Sequence, residues 1–154
     1  MLPDATTRGA TFAAVFAALF VAHQVADHWV QTQRQADRKG LPGWPGRLAC
    51  AAHVVTYTLT AVLAVALLPI VLHLPLSIGQ LTAGLLVSAV THYIADRRTP
   101  LKRLAVWFGA DRFYALGAPR PGRDDNPSLG CGSYALDQSF HYLWLFAAAL
   151  IIAA

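Results

Sequence analysis

Charge is scarce in this sequence, and glutamate is missing altogether. Only 13% of the 154 residues are charged, whereas soluble domains carry about a quarter. The low charge argues against a soluble domain, and the missing glutamate disfavours an oxidative di-iron bundle rich in carboxylates. The only cysteines, Cys50 and Cys131, lie beside the ends of apolar stretches on the side argued below to be cytoplasmic, so a disulfide framework is not indicated.

Long apolar stretches dominate the chain, and hydrophobic residues make up 56% of it. Four stretches approach the roughly 20 residues that a helix needs to cross about 30 Å of hydrocarbon. They cover approximately residues 11–30, 48–72, 78–95 and 134–154. We therefore predict an all-α polytopic membrane protein, one domain over residues 1–154 built as a four-transmembrane-helix bundle. The first stretch leads into polar residues rather than a small-residue cleavage site, so we expect it to be a retained span.

The basic residues are concentrated in two of the three connections between the predicted spans. They are Arg34, Arg38, Lys39 and Arg47 after the first span, and Arg97, Arg98, Lys102, Arg103, Arg112, Arg120 and Arg123 after the third. The positive-inside rule places both connections in the cytoplasm and both termini outside an inner (cytoplasmic) membrane. The net charge of +4 therefore reflects topology rather than nucleic-acid binding. Residues 101–116 mix aromatic, aliphatic and basic residues, which predicts one amphipathic helix in the headgroup plane.

Histidine and aspartate recur four residues apart in three of the predicted spans. The pairs are His23 with Asp27, His92 with Asp96, and Asp137 with His141. This spacing places both side chains of a pair on one face of a helix. The second span adds His53, with Tyr57 one turn further on, and Gln31 follows Asp27 at the same interval. Every span therefore contributes at least one candidate ligand.

These side chains also share a depth in the predicted membrane. At about 1.5 Å per residue, all of them lie within about 12 Å of the cytoplasmic ends of their spans. Ionisable groups in hydrocarbon are costly unless they are paired, and no Lys or Arg lies inside the spans. We therefore predict that the chain binds one or two divalent metal ions. Zinc is the favoured ion, and iron and manganese are the alternatives. The predicted ligands are His23, Asp27, His53, His92, Asp96, Asp137 and His141.

Hydrolysis is the reaction that a pair of metal ions with an activated water favours. We predict that Asp27, Asp96 and Asp137 act as bridging ligands or general bases. Gln31 and Tyr57 are predicted to support them or to orient substrate. Four residues are predicted to hold phosphate at headgroup height, namely Arg97, Arg98, Lys102 and Arg103. The expected function is a metal-dependent membrane hydrolase acting on a lipid or another membrane-associated substrate.

Other functions and other roles for single residues are compatible with the same pattern. The layer could transport a metal ion or protons, or it could hold a metal that clamps the helices together in a structural or regulatory protein. Transport needs a continuous polar path, whereas the outer halves of the spans are mostly apolar. Each His–Asp pair could instead form an interhelical hydrogen bond that fixes the packing. Asp96 could instead be a solvated charge at a helix end, beside Arg97 and Arg98. The basic cluster has the alternative of a topology signal alone, and a homodimer is compatible with so small a chain.

The motifs occur in a fixed order along the chain. They are His23-x-x-x-Asp27-x-x-x-Gln31, then His53, then His92-x-x-x-Asp96, and finally Asp137-Gln138-x-x-His141. This ordered set resembles a family of small bacterial four-span membrane proteins catalogued as a domain of unknown function, and the resemblance covers nearly the whole chain. The chain departs from that pattern at Tyr93 and after Asp96, away from the predicted ligands. The resemblance implies the architecture and the selected positions, and it implies no reaction.

Overall fold

The computed structural model describes residues 4–118 and 131–154, and helices are the only regular elements within them. Seven α-helices occur in these residues, with a π-helical turn between the first two. They are α1 (Ala5–Val25), the π turn (Ala26–Val30), α2 (Gln33–Arg38), α3 (Gly43–Leu72), α4 (Ile78–Asp96), α5 (Thr99–Trp107), α6 (Asp111–Tyr114) and α7 (Gly132–Ala153). The all-α prediction is confirmed for the described residues.

Four segments are long and apolar enough to cross a membrane, and they correspond to the four predicted spans. They are Ala5–Val30, Gly43–Leu72, Ile78–Asp96 and Gly132–Ala153. The first begins earlier than predicted because Asp4 caps it, its carboxylate accepting a hydrogen bond from the Thr7 backbone N–H at 2.7 Å. The second also begins earlier, because Pro45 falls in the first turn of α3, where a proline is tolerated.

The four long helices form a bundle in which α1 and α4 each contact both α3 and α7. One close contact between α4 and α7 occurs at Gly84, where a Cβ would stand 2.8 Å from the carbonyl oxygen of Ala148. The outward faces carry large apolar side chains, for example Leu63 and Ile70, which are 70% and 68% exposed. Such a surface suits a hydrocarbon surrounding better than water.

The interior differs between the two ends of the bundle. The helices α2, α5 and α6 lie at one end, which we call the loop end, and the chain between α3 and α4 lies at the other, the far end. Most of the apolar core lies toward the far end, and its members Ala22 and Ala26 lie beside the ligand layer. Its buried members are Val15, Leu19, Ala22, Ala26, Tyr57, Ala61, Val65, Leu68, Leu145, Ala148, Ala149 and Ile152. The polar side chains predicted as ligands lie toward the loop end.

The predicted single amphipathic helix over residues 101–116 is wrong. The chain forms the two shorter helices α5 and α6 instead, because Gly109 between them adopts a left-handed conformation with φ of 71°. The first basic connection also contains a helix, α2, whose N-terminus is capped by reciprocal hydrogen bonds between Thr32 and Gln35. Two residues of the second connection, Arg120 and Arg123, lie outside the described residues.

The end of α1 departs from α-helical geometry at Asp27. The Gln31 backbone N–H donates to the carbonyl oxygen of Ala26 at 2.9 Å, which closes the π turn, and the chain leaves the helix at Gln31. Gln31 therefore does not continue the helical face of His23 and Asp27 as their spacing predicted. Single π turns occur frequently at functional sites, where the wider turn redirects a side chain.

Candidate metal centre

Each of the four long helices contributes one histidine to a single cluster toward the loop end. The buried rings of this cluster are those of His23, His53, His92 and His141, none more than 3% exposed. The ring centroid of His141 lies 4.4 Å from that of His92 and 4.7 Å from that of His23. Three of the rings have an aspartate of the same helix within 3.5 Å. The structure therefore brings together residues that are up to 118 positions apart in the chain.

Four atoms in this cluster are joined by five short separations, and we call them the four-ligand set. They are Nε2 of His53, Nε2 of His92, Oδ1 of Asp27 and Oδ2 of Asp96. His53 Nε2 lies 3.3 Å from each of the two oxygens. His92 Nε2 lies 3.5 Å from Asp27 Oδ1 and 3.3 Å from Asp96 Oδ2. The two nitrogens are 3.0 Å apart.

Each of these five separations is close to the distance between two ligand atoms of one tetrahedral metal ion. With metal–ligand distances of about 2.0–2.1 Å, two ligands of a tetrahedral zinc ion stand roughly 3.3 Å apart. Asp27 Oδ1 and Asp96 Oδ2 are also buried without a hydrogen-bond partner among the described residues. Buried polar atoms are rarely left unpaired in folded proteins, and an ion is one of the few groups that satisfies several at once. The donors present are therefore those that a zinc-like ion requires.

Asp27 presents its two carboxylate oxygens to two different sides. Oδ1 belongs to the four-ligand set, whereas Oδ2 lies 3.4 Å from His23 Nε2. His23, Asp27, His92 and His141 each offer a ligand atom, and these atoms all lie within 4.8 Å of one another. A carboxylate shared between two groups of ligands is the arrangement expected of a bridging ligand between two metal ions.

The orientation of His141 leaves one ring nitrogen free for a ligand role. Its Nδ1 donates to the backbone carbonyl oxygen of Asp137 at 2.8 Å. A carbonyl oxygen only accepts hydrogen bonds, so this contact fixes the proton on Nδ1 and leaves the Nε2 lone pair of the neutral ring available. His141 Nε2 is buried and has no partner among the described residues. The corresponding Nδ1 atoms of His53 and His92 lack such a carbonyl.

Asp137 lies between the buried ligands and a cavity that opens at the loop end. Its side chain is 26% exposed, compared with 10% for Asp27 and 3% for Asp96. It also offers a ligand atom within 4.8 Å of atoms from Asp96 and His141. A carboxylate that reaches both ligands and cavity can exchange protons with a molecule in the cavity.

Asp96 has a partner that the sequence did not indicate. Its Oδ1 lies 2.8 Å from Nζ of Lys39, which comes from the first basic connection, while Oδ2 belongs to the four-ligand set. Asp96 is therefore not a solvated helix-end charge, because it is only 3% exposed. Although no Lys or Arg lies inside the predicted spans, the carboxylate of Asp96 is therefore paired with a basic side chain. Lys39 lies outside the predicted spans, and only the fold of the connection places it over α4.

The four predicted phosphate-binding residues fall into two groups. Arg98 and Lys102 border the cavity, and Arg103 does not. Arg97 is occupied elsewhere, since its guanidinium donates to the backbone carbonyl oxygens of Lys39 and Leu41 at 2.5 and 2.6 Å. Arg97 therefore fastens the first basic connection to the end of α4.

The predicted supporting residues contact the cluster in different ways. The Tyr57 ring stacks on His92 at a centroid distance of 3.9 Å, and its hydroxyl shares a hydrogen bond of 2.5 Å with Ser88. Gln31 borders the cavity, and its Nε2 is buried without a partner among the described residues. Tyr57 thus positions a ring, and Gln31 is free to meet a ligand.

One series of side-chain hydrogen bonds beside the cluster was not predicted. Gln24 donates to the Tyr142 hydroxyl at 2.9 Å, and this hydroxyl donates to Gln138 Oε1 at 3.0 Å. Gln24 Nε2 also lies 3.4 Å from His23 Nδ1. Gln24 and Gln138 adjoin His23 and Asp137 in sequence, which was the available signal, although adjacent residues on a helix point in different directions. This series of hydrogen bonds joins α1 to α7 beside the ligands.

The cavity at the loop end has a volume of about 710 Å³. Its floor includes the carboxylates of Asp27, Asp96 and Asp137, and its walls come from the basic connections. Tyr114 also borders it, and partial burial raises the pKa of this phenol, so that its hydroxyl stays protonated at neutral pH. The candidate ligands are therefore accessible from one end of the bundle.

Comparison with known proteins now adds a family to this geometry. Residues 15–154 match the model of DUF3307, which is described as a protein of unknown function. The chain belongs to this family. Neither the curated proteins nor the solved structures contain a match. The family match covers all seven predicted ligands and brings no activity with it, so the geometry of the site carries the functional argument.

Proposed function

We propose that this protein is a membrane-embedded, metal-dependent hydrolase that acts on a lipid or another membrane-associated substrate. The observation that carries the proposal is the four-ligand set, whose five separations of 3.0–3.5 Å suit ligands of one metal ion. The ligand types, neutral imidazole and carboxylate, favour zinc, with iron or manganese as alternatives.

Two ions are proposed, because the ligands divide into two groups around Asp27. The four-ligand set supplies four ligand atoms, two nitrogens and two oxygens. The second group, which we call the three-ligand set, consists of His23 Nε2, Asp27 Oδ2 and His141 Nε2. Three protein ligands with one free position are typical of catalytic zinc, whereas four are typical of structural zinc. The three-ligand set is therefore the proposed reaction centre.

The chemistry divides between the ion and the chain. When bound, a metal ion lowers the pKa of a coordinated water and polarises the oxygen of the bond to be cleaved. Asp137, within 4.8 Å of His141 and open to the cavity, accepts the proton of the attacking water and returns it to the leaving group. Burial of the ligands keeps bulk water from competing for the ion.

The proposed orientation in the membrane puts the loop end in the cytoplasm. Nine of the chain's basic residues occur in the described parts of the two basic connections, and none occurs between α3 and α4. Exposed tryptophans also lie toward this end, with Trp29, Trp44 and Trp107 at least 70% exposed. Tryptophans mark a membrane–water interface on either side, and the basic loops identify this one as the cytoplasmic boundary.

The apolar interior beyond the ligands favours an enzyme over a transporter. Transport of an ion through the bundle needs polar groups on both sides of the ligand layer. Beyond the ligands, the described interior consists mainly of apolar side chains such as Val15, Leu19 and Leu145, each at most 2% exposed. The cavity of about 710 Å³ reaches the carboxylates from the loop end.

A structural metal clamp is the second candidate, and the completeness of the four-ligand set favours it. A tetrahedral ion held by Asp27, His53, His92 and Asp96 would tie α1, α3 and α4 together without a free position. The clamp predicts one firmly bound ion and no turnover. The hydrolase predicts a second ion and a reaction that depends on Asp137.

Metal content is the first test. Detergent-purified wild type is analysed for zinc, iron and manganese beside His53→Ala, which removes a ligand of the four-ligand set only, and His141→Ala, which affects the other set. We expect about two ions per chain in wild type and about one in each variant. His73→Asn is the matched control, because His73 lies at the far end and is exposed. Absence of metal from wild type after supplementation would contradict the proposal.

Turnover is the second test. Metal-loaded protein is assayed with phosphomonoester, phosphodiester and acyl-ester lipids in mixed micelles, by release of phosphate or fatty acid. Asp137→Asn is expected to keep its metal and to lose about 10²- to 10⁴-fold in rate, the usual contribution of a general base. One ion per chain with no turnover on any of these classes would leave the clamp as the better account, and two ions with no turnover would contradict the proposed reaction.

A further inference from the structure

Three basic side chains border the cavity from two separate connections. Lys39 follows α2, Arg98 precedes α5, and Lys102 lies on α5. Lys39 already contacts the carboxylate of Asp96, so it joins the cavity wall to the ligand layer. Basic groups from different elements around one opening form a convergent anion site, which a topology signal alone would not require.

The backbone at Arg98 is held in a costly conformation. Arg98 has φ of 58° and ψ of −48°, and the Thr99 N–H donates to the Arg97 carbonyl oxygen at 2.6 Å across it. This is a γ-turn with positive φ, which is rare and strained for a residue with a side chain. Such strain concentrates at ligand-binding and active sites, where it fixes the direction of a side chain.

The stem of Arg98 is held in place by the first basic connection. A Cβ at Gly40 would stand 2.9 Å from Arg98 Cδ, so the absence of a side chain at Gly40 makes room for the stem. The same connection is fastened by Arg97, which binds the carbonyl oxygens of Lys39 and Leu41. The basic side chains are therefore preorganised, which lowers the entropic cost of binding an anion.

The charge of the cavity makes anion binding conditional on metal. Among the residues that the structure describes, four carboxylates border it, from Asp27, Asp96, Asp111 and Asp137, against the three basic side chains. Without metal this described lining therefore carries more negative than positive formal charge. One divalent ion reverses this balance, and two make it clearly positive.

The cavity walls suit a ligand with an apolar part. Leu101, Val106, Ala115 and Ala118 line it beside the basic residues. The adjoining Trp107 and Phe108 are 77% and 70% exposed, as expected for side chains in the headgroup region of a membrane. An anion bound here is therefore expected to carry an acyl chain.

We propose that Arg98, Lys102 and Lys39 form a phosphate site at the mouth of the cavity, and that the substrate of this protein is a phosphomonoester borne on a lipid. The planar guanidinium of Arg98 can donate two parallel hydrogen bonds to a phosphate, and the ammonium of Lys102 attracts it as a compact positive charge. Lys39 lies between this site and Asp96, so the phosphate is held next to the metal ligands. This inference rests on the proposed function, because it names the substrate class of that same site.

Calorimetric titration of the metal-loaded protein in nonionic detergent tests the phosphate site. The probes are inorganic phosphate, dihexanoyl phosphatidate in its phosphonate form, whose C–P bond a hydrolase does not cleave, and, without phosphate, dihexanoylglycerol. We expect phosphatidate to bind at least about 10-fold more tightly than inorganic phosphate, and dihexanoylglycerol not to bind. Removal of metal with a chelator is expected to abolish binding of both phosphate probes. Equal affinity for the two phosphate probes would overturn the lipid assignment.

The variants are chosen so that their folding can be checked independently. Arg98→Gly and Lys102→Ala are each expected to weaken phosphatidate binding about 10-fold. Arg98→Gly relieves the positive-φ strain, so its thermal midpoint is expected to equal or exceed that of wild type, whereas a structural arginine would lower it. Arg103→Ala is the matched control, because Arg103 carries the same charge on α5 and does not border the cavity.

The outcomes separate this inference from the proposed function. Loss of binding in Arg98→Gly and Lys102→Ala, with metal content and Arg103→Ala unchanged, would support the phosphate site. Unchanged binding in the first two variants, or an equal loss in Arg103→Ala, would overturn it while the metal centre stands. A wild-type protein without metal would overturn the proposed function itself, whatever the variants bind.

Discussion

The two ends of the helix bundle are built on different principles. Toward the far end, apolar side chains make up most of the interior that the structure describes. Toward the loop end, histidines and carboxylates lie together, several of their buried atoms lack partners, a π turn interrupts α1, and Arg98 is strained. Natural proteins usually keep such costly features only where function needs them. The contrast teaches that the far end specifies the fold and the loop end specifies the chemistry.

If this division is correct, substitutions at the loop end should change metal binding far more than stability. Asp27→Asn is expected to have the largest effect, because it removes the carboxylate shared by both ligand sets. We expect the affinity for zinc to fall by more than about 100-fold, beyond the usual loss from removing a residue that only hydrogen-bonds to a ligand. Competition with a fluorescent zinc indicator measures it. A fall of less than about 10-fold would show that Asp27 is not a bridging ligand.

Leu145→Ala tests the other end, where the opposite behaviour is expected. Leu145 is 2% exposed in the apolar core, and its truncation should cost about 2 kcal/mol of stability. This cost is at the low end of the range for core leucines, because packing rather than the hydrophobic effect drives helix association in lipid. Unfolding in mixed detergent micelles measures the cost, with Leu143→Ala as the matched control, since Leu143 is 60% exposed. Loss of metal in Leu145→Ala without unfolding would break the division between the ends.

Lys39→Met is expected to lower zinc affinity less than Asp27→Asn does, and it tests a residue outside the ligand sets at the loop end. The Lys39 ammonium holds one oxygen of Asp96, so its removal lets this carboxylate reorient away from the four-ligand set. We expect zinc affinity to fall about 10-fold, as when a partner outside the ligand set is lost. The same indicator assay applies, with Lys102→Met for comparison, because Lys102 borders the cavity without an ion pair to Asp96. Equal affinities in wild type and Lys39→Met would limit Lys39 to a structural role.

Much of the fold could be predicted because its signals are local. A run of about 20 apolar residues indicates a membrane-length helix whatever surrounds it, and all four long helices lie where such runs occur. The break between α5 and α6 was missed because an isolated glycine does not reveal its own φ, and Gly109 ends α5 only by adopting a positive one.

The sequence by itself determined which residues can act as ligands and that each His–Asp pair shares a helix face. This follows because a four-residue spacing on a helix is a local geometric relation. Only the tertiary structure decided that Asp27 faces two ligand sets, that Lys39 pairs with Asp96, and that Arg97 fastens a loop whereas Arg98 borders the cavity. These relations depend on how separate helices and connections pack in three dimensions, and no spacing along the chain encodes them.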